Sequence, residues 1–145
     1  MAQQRTQFQR GQYDRPPERK FENEFQPEWI EKGITKECIK YTDDLGEFLK
    51  NNDLTTSQIR NVFGELKRIQ MKGFKGETTA FLLLKPKMAY AVARDGKRGL
   101  KQLTEVFNKA FELVDVSGPN GSAHFKNLMD IMEAILAYHK AYGGR

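Results

Sequence analysis

The chain has very little of the residues on which metal binding and covalent catalysis depend. Its 145 residues include one cysteine and two histidines. A single cysteine, Cys38, excludes an intrachain disulfide and is typical of a reducing compartment. His124 and His139 stand without a second cysteine that could complete a zinc-type ligand set. The sequence therefore predicts a protein without a metal site.

Other absences exclude further classes of protein. No glycine-rich phosphate loop is present, and no apolar run reaches the roughly 18 residues that a membrane helix needs. The N-terminus has no apolar core of the kind a secretory signal carries. We expect Cys38 to pack in the core and His139 to be a core or interface histidine rather than a catalytic base. The expectation is a soluble, cytoplasmic, non-catalytic protein without a cofactor and without a membrane partner.

Positive charge is the main feature that is present, and it is concentrated in one part of the chain. The net charge is +5 over the whole sequence. Between residues 60 and 101, however, eleven Lys or Arg residues face only three acids, Glu65, Glu77 and Asp95, which gives a local charge of +8. Ordinary surfaces mix the two signs, so this imbalance favours contact with a polyanion. A solvated outer face that keeps the helices soluble would also account for it.

The first 27 residues differ in composition from the rest. They are rich in Gln, Arg and Glu, contain Pro16-Pro17, and show no periodicity. Such a segment buries too little apolar surface to offset its ordering entropy, so we predict a mobile tail over 1–27 and a folded domain over 28–145. Phe21, Phe25 and Trp29 could still attach the end of the tail to the folded part.

Apolar residues from about position 30 onward recur at helical spacing, and nothing alternates as a strand would. This pattern predicts an all-α bundle of about five helices. Thr55 and Gln58 form a capping box at the start of the second helix, and Ser122 is expected to cap the fifth. The third helix, about 77–95, is apolar almost all round, which predicts a helix surrounded by others. Pro86 should kink it.

Basic side chains also share helix faces. On the second helix, Arg60, Lys67 and Arg68 lie opposite the apolar stripe. On the third, Lys87 and Arg94 align at helical spacing with Tyr90, whose ring could pack or stack against a sugar or base. A phosphate chain would meet several cations at once on these faces.

Three stretches together resemble a known family: "LTTSQIRNVFGELKRI" (54–69), "LLLKPKMAYAVAR" (82–94) and "EAILAYHKAYGG" (133–144). Their combination is similar to the small subunit of type III-A CRISPR effector complexes, the Csm ribonucleoproteins. The resemblance covers about residues 30–145 and leaves the tail outside it. It implies a small helical scaffold subunit without catalytic activity, present in several copies along the guide RNA–target RNA duplex.

The resemblance also implies partners and a site. The partners would be the guide RNA and the target RNA, the backbone and large subunits of the complex, and further copies of the chain itself. The basic surface of the family, carried onto this sequence, falls on a set of residues that would bind RNA: Arg60, Lys67, Arg68, Lys85, Lys87, Arg94, Lys97 and Arg98. Lys85 and Lys87, on either side of Pro86, are expected to share the face of Arg60 and Lys67.

Two other functions remain open from the residues alone. The first is a purely protein-binding helical adaptor whose basic face meets an acidic partner. The second is a small DNA-binding regulator, which "TTSQIRNVFGEL" after a short turn only superficially suggests, since no convincing recognition helix is present. An enzyme is the least favoured class.

Overall fold

The computed structural model describes residues 18–145, and this part of the chain consists of helices joined by short turns without a strand. The predicted all-α fold with five long helices is confirmed. Two single-turn helices precede them. The elements are α1 (Phe21–Glu24), α2 (Glu28–Glu31), α3 (Lys36–Asn51), α4 (Thr56–Lys72), a 3₁₀ turn (Phe74–Gly76), α5 (Thr78–Asp95), α6 (Arg98–Leu113) and α7 (Gly121–Ala141).

Capping residues were predicted at the starts of two helices, α4 and α7. The capping box of α4 is confirmed: the Thr55 hydroxyl accepts from the backbone N–H of Gln58, and the Gln58 amide oxygen accepts from that of Thr55. The prediction for Ser122 is wrong, because α7 begins at Gly121 and Asn120 precedes it without a side-chain cap. The backbone at Gly121, the first residue of α7, lies so close to Asp115 that an added Cβ would be 2.5 Å from the Asp115 carbonyl oxygen.

The N-terminal segment enters the core earlier than the sequence pattern indicates. Phe21 and Phe25 are buried within the range predicted as tail, and Trp29 is buried with them, so the possibility that these rings attach the end of the tail to the folded part is confirmed. Both rings pack edge-on against Tyr41 of α3, with ring centroids 5.8 and 6.1 Å apart, and the Tyr41 hydroxyl donates to the carbonyl of Phe21 over 2.7 Å. Packing of this segment on α3 thus begins at Phe21. The part of the predicted tail at residues 1–17 lies outside the described residues.

We expect a chain that begins at residue 28 to be less stable than one that begins at residue 18. The shorter chain loses two buried phenylalanines, each worth about 1.5–3 kcal/mol when fully buried, and leaves the Tyr41 hydroxyl without its acceptor. Urea unfolding followed by circular dichroism measures the difference. The chain from residue 18 is the matched control, since it also lacks residues 1–17 but keeps both rings. Equal midpoints would contradict the packing of this segment.

The most extensive helix pairing in the bundle joins α3 and α7. The two helices run in the same direction: the loop before α3 meets Asn127, which donates its side-chain amide to the carbonyl of Ile30, and Gly46 further along meets Tyr138. At Gly46 the backbones approach closely, because a Cβ there would lie 2.6 Å from the Cβ of Tyr138 and 2.9 Å from the backbone nitrogen of His139. Only glycine fits at this point of contact.

Gly46→Ala is therefore expected to destabilise the fold by about 1–3 kcal/mol, the cost of inserting a methyl group against rigid backbone. Gly64→Ala is the matched control, because Gly64 also lies inside a helix but has nothing within 4 Å of an added Cβ. The control should gain about 0.5–1 kcal/mol from the higher helix propensity of alanine. Thermal unfolding of the two variants should move in opposite directions. A shift of the same sign in both would contradict the close approach.

Helix α5 is less buried than its composition predicts. Its buried side chains are Phe81, Leu84 and Met88, whereas Leu82 and Leu83 are about half exposed, at 47% and 48%. The prediction of a helix surrounded by others is wrong, because α5 lies against α4, α6 and the 3₁₀ turn as its main neighbours and leaves its outer side open. Helical structure continues through Pro86. The apolar side chains of α5 that do not pack in the core, Leu82 and Leu83, thus lie on the outer side of the helix.

Candidate nucleic-acid interface

The eight predicted RNA-binding residues all have side chains that reach the surface. Seven are exposed and Arg68 is half-buried. They do not form one continuous face. The structure divides them among a cleft between α4 and α5, the far side of α4, the α6 side of α5, and the start of α6.

The cleft between α4 and α5 brings Lys87 and Arg94 together. These residues lie seven positions apart on α5, two turns of helix, and so project on the same side. They border a cleft of about 290 Å³ whose opposite wall is α4. The polar residues of that wall are Gln58, Asn61 and Glu65. The cleft therefore combines two cations with a carboxylate and two side-chain amides, and the Gln58 amide oxygen already accepts from the backbone N–H of Thr55.

Acidic residues neutralise part of the basic surface at this cleft. The Arg68 guanidinium forms ion pairs with Glu65 at 2.9 Å and with Glu77 at 3.3 Å. Hydrogen bonding from Arg68, with a further contribution from the charge of Lys87, lowers the pKa of Glu65. Glu65 is thus held ionised between the two cations. Of the two, Lys87 is the one without an ion pair in the described chain.

Arg60 and Lys67 lie on the other side of α4 from the cleft. At about 100° per residue, these two positions are close together on the helix and roughly 130° from Asn61 and Glu65. The Lys67 ammonium lies 5.4 Å from the centre of the Phe63 ring. Arg60 and Lys67 therefore form a separate basic surface, and the expectation that they share a face with Lys87 is wrong.

Lys85 points away from the cleft as well. Its ammonium nitrogen lies 5.8 Å from the ring centre of Phe111 on α6. Lys85 and Lys87 are two residues apart, about 200° around a helix, so they project to opposite flanks of α5. Both lysines border the outer side of α5, one toward α6 and the other toward α4.

The start of α6 belongs to another surface. Arg98 forms an ion pair with Glu18, and its guanidinium lies 6.0 Å from the centre of the Phe48 ring. Lys97 immediately precedes α6 and is exposed. Arg98 is therefore engaged with the N-terminal segment, which sequence spacing alone could not indicate.

Tyr90 and Arg94 form a pair on the outer side of α5. The Tyr90 side chain is 65% exposed, and the guanidinium carbon of Arg94 lies 5.7 Å from its ring centre. Arg94 also forms an ion pair with Asp95 at 3.1 Å. The alignment of Lys87, Tyr90 and Arg94 predicted from their spacing is present. The sequence indicates Gln58 only as a capping residue and carries no signal for Asn61, because an isolated polar residue on a helix has no pattern.

The cysteine and the two histidines, the side chains best suited to catalysis, have structural roles. Cys38 is fully buried, and burial raises the pKa of its thiol to about 11. His139 is buried as predicted, with its Nε2 atom 2.7 Å from the carbonyl oxygen of Leu54. The Nδ1 atom of His124 accepts from the backbone N–H of Asp115. Among residues 18–145, no group of three or more His, Cys, Asp and Glu side chains could hold a metal ion.

We expect Cys38 to resist thiol reagents in the folded protein. Because the thiol is inaccessible and stays protonated below its raised pKa of about 11, labelling at mildly alkaline pH should follow transient opening of the core. The labelling rate, measured with a chromogenic disulfide reagent, should rise steeply with added urea. Fast, complete labelling without urea would contradict the burial of this residue.

The fold and the interface together define a small all-helical protein with several basic surfaces around two adjacent helices. The chain belongs to the Csm2 Type III-A family, whose family model matches residues 33–145. Membership makes it a subunit of the Csm complex, in a family of structural small subunits that is not known to be catalytic. The match begins after α1 and α2, so the anchored segment with Phe21 and Phe25 lies outside it.

Two further comparisons found no counterpart. No curated protein matches the chain, and no solved structure matches it. Among the helices that the structure describes, none has both the length and the apolar character to cross a membrane.

Proposed function

We propose that the chain is a non-catalytic RNA-binding scaffold subunit of a type III-A CRISPR interference complex. Several copies stack along the guide RNA–target RNA duplex and contact its backbone without sequence specificity. The partners are the guide and target RNAs, the backbone and large subunits, and further copies of the chain, in the cytoplasm. Family membership supports the place in the complex, and the surface charge supports contact with RNA.

The observation that carries the RNA-binding proposal is the number of cations without an acidic partner. Among the described residues, five of the eight predicted cations form no ion pair with a carboxylate: Arg60, Lys67, Lys85, Lys87 and Lys97. Ion pairs on an ordinary surface would satisfy many of these charges, but Glu65, Glu77 and Asp95 are already paired with arginines. Phosphates would supply the missing negative charge and release counterions on binding.

Sequence-independent binding fits the chemistry of these side chains. Lysine ammonium groups contact phosphate oxygens as point charges and carry no base information. Specificity would then come from base pairing between the guide and its target, as in other RNA-guided systems. One copy should bind weakly, and several copies on one strand would bind tightly through their combined contacts.

Binding of the purified chain to a fluorescent single-stranded RNA across a salt series tests the proposal. We expect affinity to fall steeply with salt, and Lys87→Glu/Arg94→Glu to lower it and to reduce the salt slope by about 2 units, about 1 for each phosphate contact. Lys36→Glu/Lys140→Glu is the matched control: both lysines are exposed, neither forms an ion pair in the described part, and the charge change is identical.

The control should retain more affinity than the cleft variant when circular dichroism shows both to be folded. Equal losses in the two would indicate a response to net charge alone and would contradict an RNA site at α4 and α5. Absence of binding at low salt would contradict RNA binding by the isolated chain.

A protein-binding adaptor is the second candidate, and the exposed leucines of α5 favour it. Leu82 and Leu83 lie beside Lys85 and Lys87, as expected for a surface that meets an apolar partner with acidic edges. The Lys87→Glu/Arg94→Glu variant separates the two functions. If the chain is an adaptor, the complex fails to assemble with this variant; if it binds RNA, the complex assembles and retains less RNA.

A further inference from the structure

The outer side of α5 carries an aromatic ring in an unusual setting. Among the large apolar side chains that the structure describes as exposed, Tyr90 is the only one with a cation against its ring. Its position within a helix holds the ring on a rigid element. The ring is therefore exposed on a fixed part of the surface.

The neighbours of Tyr90 leave the ring accessible. The residues one turn away toward the outer side, Pro86 and Ala93, have short side chains and are themselves exposed. With 65% of the Tyr90 side chain open to solvent, at least one face of the ring is free. Another planar group could therefore lie flat on it.

The charges around Tyr90 indicate which kind of planar group would bind to its ring. Lys87 lies one turn before the tyrosine and Arg94 one turn after it, on the same side of α5. Along α5 the next acid, Asp95, is paired with Arg94, and Glu65 across the cleft is paired with Arg68. A planar group accompanied by negative charge on both sides is what a nucleotide within a strand presents, a base with a phosphate before and after it.

We propose that Tyr90 is a stacking platform for an unpaired RNA base, and that Lys87 and Arg94 hold the phosphates on either side of that base. The inference rests on the proposed RNA binding and adds the form of RNA that this site takes. Bases inside a duplex are stacked on each other and hide their faces, so the ring can contribute only where a nucleotide is unpaired. The cations contribute to both forms of RNA.

Three variants test the platform. Tyr90→Ala removes the ring at an exposed helical position where alanine is well tolerated. Tyr90→Phe keeps the ring and removes the hydroxyl. Tyr142→Ala is the matched control, because it removes the same side chain at the end of α7. Tyr142 is 38% exposed there, and its hydroxyl donates a hydrogen bond to the Asp43 carboxylate. Dissociation constants are measured at one salt concentration for an unstructured single-stranded RNA and for a blunt duplex of the same length.

Tyr90→Ala should weaken single-strand binding by about tenfold, the size typical of losing one base–aromatic stack, and leave duplex binding unchanged. Tyr90→Phe and Tyr142→Ala should bind the single strand as the wild type does. A base analogue whose fluorescence is quenched by stacking, placed in the single strand, should be quenched by the wild type and not by Tyr90→Ala.

The outcomes that overturn the inference differ from those that overturn RNA binding itself. If wild type and Tyr90→Ala bind the single strand with equal affinity while Lys87→Glu/Arg94→Glu still weakens binding, the stacking role of Tyr90 is contradicted and the RNA site at Lys87 and Arg94 is retained. If the wild type binds neither RNA, both the stacking role of Tyr90 and the proposed RNA binding are contradicted. Loss of self-association in Tyr90→Ala, measured by light scattering, with unchanged RNA affinity would show that a second copy occupies this face, which also overturns the platform.

Discussion

The rest of the bundle depends on the close approach of α3 and α7 at Gly46. Without a side chain at this position, the two helices come near enough for Gly46 to touch the backbone of Tyr138 and His139. This places the His139 ring beside the turn after α3, where its Nε2 atom reaches the carbonyl of Leu54. A wider spacing, as any larger residue would impose, would separate this buried pair and leave two polar groups unsatisfied in the core.

The same turn sets the positions of the helices that carry the basic surfaces. The backbone N–H of Gly99, at the start of α6, donates to the carbonyl of Asn52, and an added Cβ on Gly99 would meet Leu54 at 2.9 Å. Since α4 starts at Thr56 and α6 at Arg98, both begin from this one junction. Helix α5 spans the distance between the end of α4 and the start of α6. It contacts the core through one side and turns its remaining sides, with their cations, outward.

The helices themselves could be predicted from the sequence because their signals are local: apolar spacing for α3 to α7 and a capping box at Thr55. The exposure of α5 could not be predicted, because the sequence pattern of an apolar helix face is the same whether that face packs against the core or against another molecule. The polar segment around Phe21 and Phe25 has no periodicity, so the sequence suggests that these rings attach the segment to the folded part but does not indicate where they pack. Their place depends on Tyr41, twenty residues further on in the case of Phe21, which no local pattern encodes.

The candidate site shows why a count of charges is a poor guide to a binding surface. The sequence places Arg68 and Lys87 in the same basic region, yet Glu65 and Glu77 neutralise Arg68, while Lys87 has no ion pair in the described chain. Which cation is free depends on which side of α4 faces α5, and helical spacing within one element cannot define that orientation. Exposed ion pairs are worth little energy, so a polyanion could recruit Arg68 as well. Under the proposed function, net charge would attract RNA to this part of the molecule, and the arrangement of the acids would decide which side chains meet it first.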